Sequence, residues 1–250
     1  MIYRVLQNIR HRRQAKRFGV AFTFFRNFEM PRAIQIAPGT TIELDFPDEV
    51  GIRDAFTEIF VSDGYELSFF KKKGISTVMD VGANVGFFSL AARSYFPQAR
   101  IEAYEPNPDL KKYLVNNLGK GRVTYFLSAV GAENAQVTMV GEAGGSIHAV
   151  VEMDSEGGID QVSIEGAMAR FGGRLDLLKL DCEGAEWGIL EKSDALRYVR
   201  FIVMEYHLWA KKGSTVAEME ALLAKSGFKV VKKREDVGFG FMLAQNSSLR

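Results

Sequence analysis

Residues 77–90 read TVMDVGANVGFFSL, and the rest of the chain makes sense as support for that stretch. Val78 and Met79 begin a short apolar run that ends at Asp80. Gly82, Ala83, Asn84, Val85 and Gly86 then form a tight turn, after which apolar groups recur at helical spacing at Phe88, Ala91, Ala92 and Tyr95. The order is strand, glycine-rich turn, helix. Such a turn offers backbone N–H groups and a helix N-terminus to a ligand, because missing side chains permit close approach and first-turn amides lack intrahelical partners. A dinucleotide fingerprint needs glycine at 82, 84 and 87, but Asn84 and Phe87 stand at two of these positions, so the pyrophosphate reading is weak. Asn84 is one of the few non-glycine residues that tolerates a left-handed turn.

Working outward, Ile101 to Pro108 reads IEAYEPNP. It is a strand ending in Glu105, about 20 residues after the turn, where a carboxylate can accept hydrogen bonds from two ribose hydroxyls. Pro106 and Pro108 stop the strand behind it. Further on, Leu175 to Leu180 is a largely apolar run interrupted at Lys179, of the kind a parallel sheet covered on both faces requires; Asp181-Cys182-Glu183-Gly184-Ala185-Glu186 follows it. Phe201 to Met204 is the next such strand and ends in Glu205-Tyr206-His207.

DVGAN, then EPNP, then LKLDCEGAE resemble, in order and spacing, the motifs of the FkbM-type family of class I S-adenosylmethionine-dependent methyltransferases. The resemblance runs from about Phe60 to Leu243. It implies a doubly wound, mostly parallel, seven-stranded Rossmann-like α/β sheet with an antiparallel C-terminal hairpin, formed here by Phe228 to Lys233 and Phe239 to Ala244. It implies S-adenosylmethionine as cofactor, held by Asp80, Gly82, Ala83, Asn84, Gly86, Phe87, Glu105, Pro106, Asn107 and Asp181, with the adenine at Ser128, Ala129 and Val130. Tyr65 and Glu66 then close over it. Members of the family act chiefly on hydroxyls of sugars and natural products, which implies a small-molecule or glycan hydroxyl acceptor.

Composition is consistent with this. At 250 residues and 47% apolar content the chain suits one large α/β domain. Lys and Arg total 32 against 31 acids, which argues against a general nucleic-acid binder. The single Cys182 makes no internal disulfide and no metal-type Cys/His cluster is present, so a reducing, cytoplasmic setting is expected. No apolar run approaches the roughly 18 residues that span a bilayer. Residues 1–32 carry eight Arg or Lys against Glu29 alone, with Ile2, Val5, Leu6 and Ile9 on one helical face. This arm is expected either to dock on the catalytic domain or to reach an anionic lipid surface. Residues 33–74 follow as a hairpin around Pro38-Gly39, added to one edge of the sheet, and a helical lead-in. The methyltransferase domain takes 75–250, with a strand pair over the site at 136–151 and Gly144, Gly145 and Ser146 near the acceptor.

Ligands of open α/β sheets bind outside the carboxyl ends of the strands. Those ends are Asp80, Glu105, Ser128, Asp181 and Glu205, which with His207 make an acidic rim. A sugar-type hydroxyl needs a base or a metal to react at neutral pH. His207, with an ordinary pKa near 6.5, is the expected base among four candidates that include Glu183, with Asp181 and Glu205 supporting it, and a divalent metal held by His207, Asp181 and Glu205 is the alternative. A nicotinamide-dependent sugar oxidoreductase or epimerase would share the sheet and the ribose carboxylate, yet no tyrosine here is followed four residues on by lysine. A non-catalytic nucleoside-binding module would keep Glu105 but has no use for the acidic rim.

Overall fold

The computed structural model describes residues 2–22, 28–140 and 150–249, with side chains from Asn8 onward, Val150's excepted. In chain order it has helix α1 (Ile2–Arg17), a hairpin β1 (Ala33–Ala37) and β2 (Thr40–Glu43), and α2 (Val50–Phe56) running on into a π-helical turn, Thr57–Ser62. Then come β3 (Thr77–Val81), α3 (Phe87–Tyr95), β4 (Arg100–Tyr104), α4 (Lys111–Lys120) and β5 (Thr124–Phe126). A second group follows: β6 (Ala129–Gly131), β7 (Ala135–Val140), β8 (Val150–Met153), β9 (Ile159–Ser163) and α5 (Ile164–Ala169). The chain finishes with β10 (Leu175–Leu180), α6 (Ala185–Lys192), β11 (Val199–His207), α7 (Val216–Lys225), β12 (Phe228–Glu235) and β13 (Phe239–Asn246).

Seven strands form one sheet in the order β12-β13-β11-β10-β3-β4-β5. Neighbours from β11 to β5 are parallel, and β13 runs antiparallel to both β11 and β12, as the sequence led us to expect. Alternation along each strand divides the apolar residues between two cores. Val78, Leu177 and Val203 face one side; Met79, Leu178 and Ile202 face the other. Helices α3 and α4 with the N-terminal elements cover the first face, and α5, α6 and α7 cover the second. Continuous burial on both sides is why the central strands read as apolar runs rather than as alternating ones.

The hairpin β1–β2 does not extend the sheet; it is a separate two-stranded sheet whose Ile34 and Ile42 join the first core. The arm docks on the domain. Phe18 is fully buried edge-on to Phe60, Gln14 accepts from the Tyr95 hydroxyl at 2.7 Å, and the Arg17 guanidinium lies 4.1 Å over the Tyr95 ring. Burying a side chain the size of Phe18 contributes about 1.5–3 kcal/mol, far more than any exposed cation of the arm can. No helix among the described residues is long and apolar enough to cross a membrane.

Helix α7 opens on Thr215, whose side chain accepts from the Glu218 amide, and Gly227 closes it in a left-handed conformation (φ 89°). Only half of a capping box is made, because Glu218 accepts from Lys211 instead of reaching back. The strand pair expected at 136–151 is β7–β8, and these strands belong to a four-stranded sheet of order β6-β9-β7-β8. The expectation for Gly144, Gly145 and Ser146 falls outside the described residues.

Candidate functional site

A cleft of about 880 Å³ opens at the carboxyl ends of β3, β4, β10 and β11. Its floor includes Gly82, Asn84, Glu105, Pro106, Asn107, Ala129, Asp181, Glu183 and Glu205, so most of the residues proposed from sequence meet there. The second sheet contributes Met139, Val151 and Gln161, and the facing wall has Glu58, Gly64, Arg234 and Phe239. Six carboxylates (Asp54, Glu58, Glu105, Asp181, Glu183, Glu205) and one guanidinium, Arg234, line it among the described residues.

The glycine turn is built against its neighbours. Gly82 and Ala83 both donate to the Tyr104 carbonyl, and Asn84 takes the left-handed conformation (φ 51°) its side chain tolerates. Glu105 ties the turn to the next loop, its Oε2 accepting from the Asn84 amide at 2.7 Å and its Oε1 from the Asn107 amide at 2.9 Å. Burial pushes its carboxyl pKa up, and those two amides pull against the rise.

Several expected contacts lie beneath the cleft instead of lining it. Asp80 is fully buried; Oδ2 accepts from the Ser89 hydroxyl at 2.7 Å and Oδ1 lies 3.2 Å from Lys179 Nζ. Phe87 packs among Phe46, Phe56 and Phe60, and Gly86 abuts Leu118. Ala83 and Ser128 are buried and absent from the lining. Tyr65 is buried too and donates its hydroxyl to Asp181 Oδ2 at 2.8 Å, which positions that carboxylate. Glu66 faces away from the cleft and pairs with Arg10 and Lys232.

His207 does not fit the role of base. It is buried behind Glu183 and Glu205, with Nδ1 3.0 Å from Glu186 Oε1 and Nε2 3.6 Å from both Glu183 Oε2 and Glu205 Oε1. Burial alone lowers its pKa, but the hydrogen bond to Glu186 and the neighbouring carboxylates of Glu205, Glu186 and Glu183 outweigh burial and raise it to about 10. With no cation bound beside it, the ring holds its proton at neutral pH. Glu186, fully buried, is the residue that sequence reasoning left without a role: Oε1 also accepts from the His207 amide and Oε2 from the Gly184 amide, stapling the turn after β10 to the end of β11. Its signal was its place inside the DCEGAE block.

Glu58 was also missed. The π-helical turn carries it to the facing wall, and Gly64 leaves room for it, since a Cβ there would lie 2.2 Å from Glu58 Cγ. Burial raises its pKa from 4.5 to about 7, helped by Glu205 and Asp181 and opposed by Arg234 and Lys179. A proton held more tightly in the folded than in the unfolded chain stabilises the fold below pH 4.5, and that contribution is lost as pH rises through 7. Glu58→Gln, which cannot ionise, is therefore expected to gain stability relative to the parent between pH 5 and 8.5. Solvent screening of this partly exposed side chain holds the gain to about 1 kcal/mol. Urea denaturation in chelator-containing buffer at the two pH values measures it, and parallel shifts of both proteins would contradict the burial argument.

Residues 80–230 match the model of the methyltransferase FkbM domain. The chain belongs to the FkbM methyltransferase family. This FkbM chain is similar to methyltransferase sdnD of Sordaria araneosa, 28% identical over 72% of this chain and 83% of the relative. It is equally similar, at 28% identity over 70% of its length, to the AMB antimetabolite synthetase AmbE of Pseudomonas aeruginosa, of which it spans 10%. Among solved structures it resembles magnesium protoporphyrin IX methyltransferase (ChlM) from Synechocystis PCC 6803 with bound SAM, at TM-score 0.49 and 14% identity, covering 81% of this chain and 86% of that one.

Proposed function

We propose that this FkbM domain transfers the methyl group of S-adenosylmethionine to a hydroxyl oxygen of a small-molecule or glycan acceptor. The observation that carries the reading is the Glu105 carboxylate, set at the end of β4 beside the glycine turn and lining a cleft whose wall is strongly acidic. Each carboxylate oxygen accepts one backbone amide and retains a lone pair for a ribose hydroxyl. Six carboxylates against one guanidinium favour a cationic ligand, and S-adenosylmethionine is one at its sulfonium and its amino group. Bound, it supplies a methyl group already activated by positive charge.

The residues of this chain then have to align the acceptor and remove its proton. As the acceptor oxygen took up the methyl group, its proton would have to pass to a carboxylate of the cleft. Glu58, facing Asp181 and Glu205 on the same cleft, receives that proton. The hydroxyl acceptor rests on the family's habitual substrates.

The test is mass spectrometry of a cell extract incubated with the protein and isotopically labelled cofactor. A product heavier by one labelled methyl group on oxygen supports the reading, and methylation confined to nitrogen or carbon overturns the choice of acceptor. A titration that shows heat with NAD and none with S-adenosylhomocysteine overturns the cofactor. Glu105→Ala is expected to weaken S-adenosylhomocysteine binding by roughly 1.5–3 kcal/mol, a tens- to hundredfold rise in Kd, because the ribose loses a charged acceptor and the two amides lose their brace. A folded variant with unchanged Kd on calorimetry would place the ribose elsewhere.

A further inference from the structure

The geometry points to a divalent-cation site formed by Asp181, Glu205 and His207, with a first-row transition ion such as Mn2+ as occupant. One ligand atom from each residue lies within 4.8 Å of the others. Two atoms that are each about 2.1 Å from one ion stand at most about 4.2 Å apart, so a pair at the 4.8 Å bound would have to close by about 0.6 Å to share it. The 3.6 Å gap between His207 Nε2 and Glu205 Oε1 is already inside that limit. Two carboxylates and one imidazole are a donor set that suits such ions.

A second observation, independent of Asp181 and Glu205, points the same way. Metal-binding histidines hold their remote ring nitrogen against a carboxylate, which fixes the ring and directs the other nitrogen at the ion. His207 has this arrangement, with Nδ1 3.0 Å from the fully buried Glu186 carboxylate and Nε2 turned toward Glu183 and Glu205, 3.6 Å from each. Asp181 is held from behind by the Tyr65 hydroxyl and by Lys179, 3.5 Å away. Asp181 follows β10 and Glu205 lies on β11, parallel neighbours in the sheet, and both line the cleft. The competing arrangement is a protonated His207 that neutralises the cluster by itself.

The ion's role, binding the acceptor hydroxyl and making its proton easier to remove, rests on the methyl-transfer reading; the site itself does not. The test is calorimetric titration of chelator-stripped full-length protein with MnCl2, paralleled by loss of the free Mn2+ electron-paramagnetic-resonance signal. One ion per chain is expected. Glu205→Gln, a near-isosteric change at a side chain that reaches the cleft, is expected to weaken binding at least tenfold, and Glu186→Gln, acting through the histidine, by about 10–100-fold. Because buried His207 and Glu186 bear on folding, thermal denaturation of each variant accompanies the titration, and Glu205→Gln decides if the others unfold. No saturable binding below millimolar Mn2+, or undiminished binding in folded Glu205→Gln, overturns the site. S-adenosylhomocysteine binding without Mn2+ binding removes the ion and leaves methyl transfer standing, and the reverse removes methyl transfer and leaves the ion.

Discussion

Gly82→Ala is expected to leave little soluble, folded protein, with or without cofactor. A Cβ placed on Gly82 would lie 1.7 Å from the Asp181 carbonyl oxygen and 2.8 Å from its carbon. Neither atom can swing aside as the tip of a long side chain can, because the Asp181 amide is bonded to the Val81 carbonyl where β10 and β3 run side by side. The glycine also sits at φ 77°, where a side chain adds roughly 1–2 kcal/mol of backbone strain on its own. From sequence, the bare turn reads as room for the close approach of a ligand. The structure gives the space to the neighbouring strand. Gly86→Ala is the internal comparison: it carries similar strain at φ 87°, but the added carbon meets the Leu118 side chain, which can repack. It is expected to fold with a loss of about 1–3 kcal/mol. Circular dichroism and thermal denaturation of the two alanine variants decide the matter; equal stability would mean that the Asp181 carbonyl sets no constraint on the turn.

The same comparison shows what a sequence can and cannot carry. The glycine turn, the central strands, the C-terminal hairpin and the left-handed Asn84 were legible because each rests on local chemistry: periodicity, a missing Cβ, a tolerated φ. The four-stranded sheet was only half legible, since β9 (IDQVS) is short, partly exposed and mixed in pattern, so nothing local separates it from a loop. Misplaced roles came from partners distant in sequence. His207 was assigned from its ordinary pKa, yet Glu186, twenty-one residues earlier, governs its proton. Glu58 is an unremarkable glutamate in a helical lead-in until the π-helical turn and Gly64 bring it to the cleft wall. Asp80 closes a strand as a ligand-binding carboxylate should, but it points inward to a lysine.

That lysine accounts for the second large effect. Lys179 interrupts the buried end of β10 between Leu178 and Leu180, and its side chain is 4% exposed, with Nζ 3.2 Å from the fully buried Asp80 carboxylate. It also donates to the Val81 and Gly82 carbonyls and lies 3.5 Å from Asp181, so one charged group joins the glycine turn to the end of the next strand. Burial by itself lowers the lysine's pKa, but the charges of Asp80 and Asp181 outweigh it and hold the ammonium protonated above its ordinary value. Lys179→Met keeps the volume and strands the Asp80 carboxylate, for which breaking a buried pair costs about 3–5 kcal/mol and lowers Tm by on the order of 10 °C. Burial already drives the Asp80 carboxyl upward, and without the lysine it rises further, so the loss is smaller in acid and grows with pH. The double variant Asp80→Asn/Lys179→Met removes both charges and is expected to recover part of the loss, since a neutral buried pair leaves no uncompensated ion. Thermal denaturation of both variants at pH 5 and pH 8 measures this. A Tm drop of Lys179→Met that is the same at both pH values, or a double variant less stable than the single one, would show that the lysine serves the turn through its carbonyl contacts and not through Asp80.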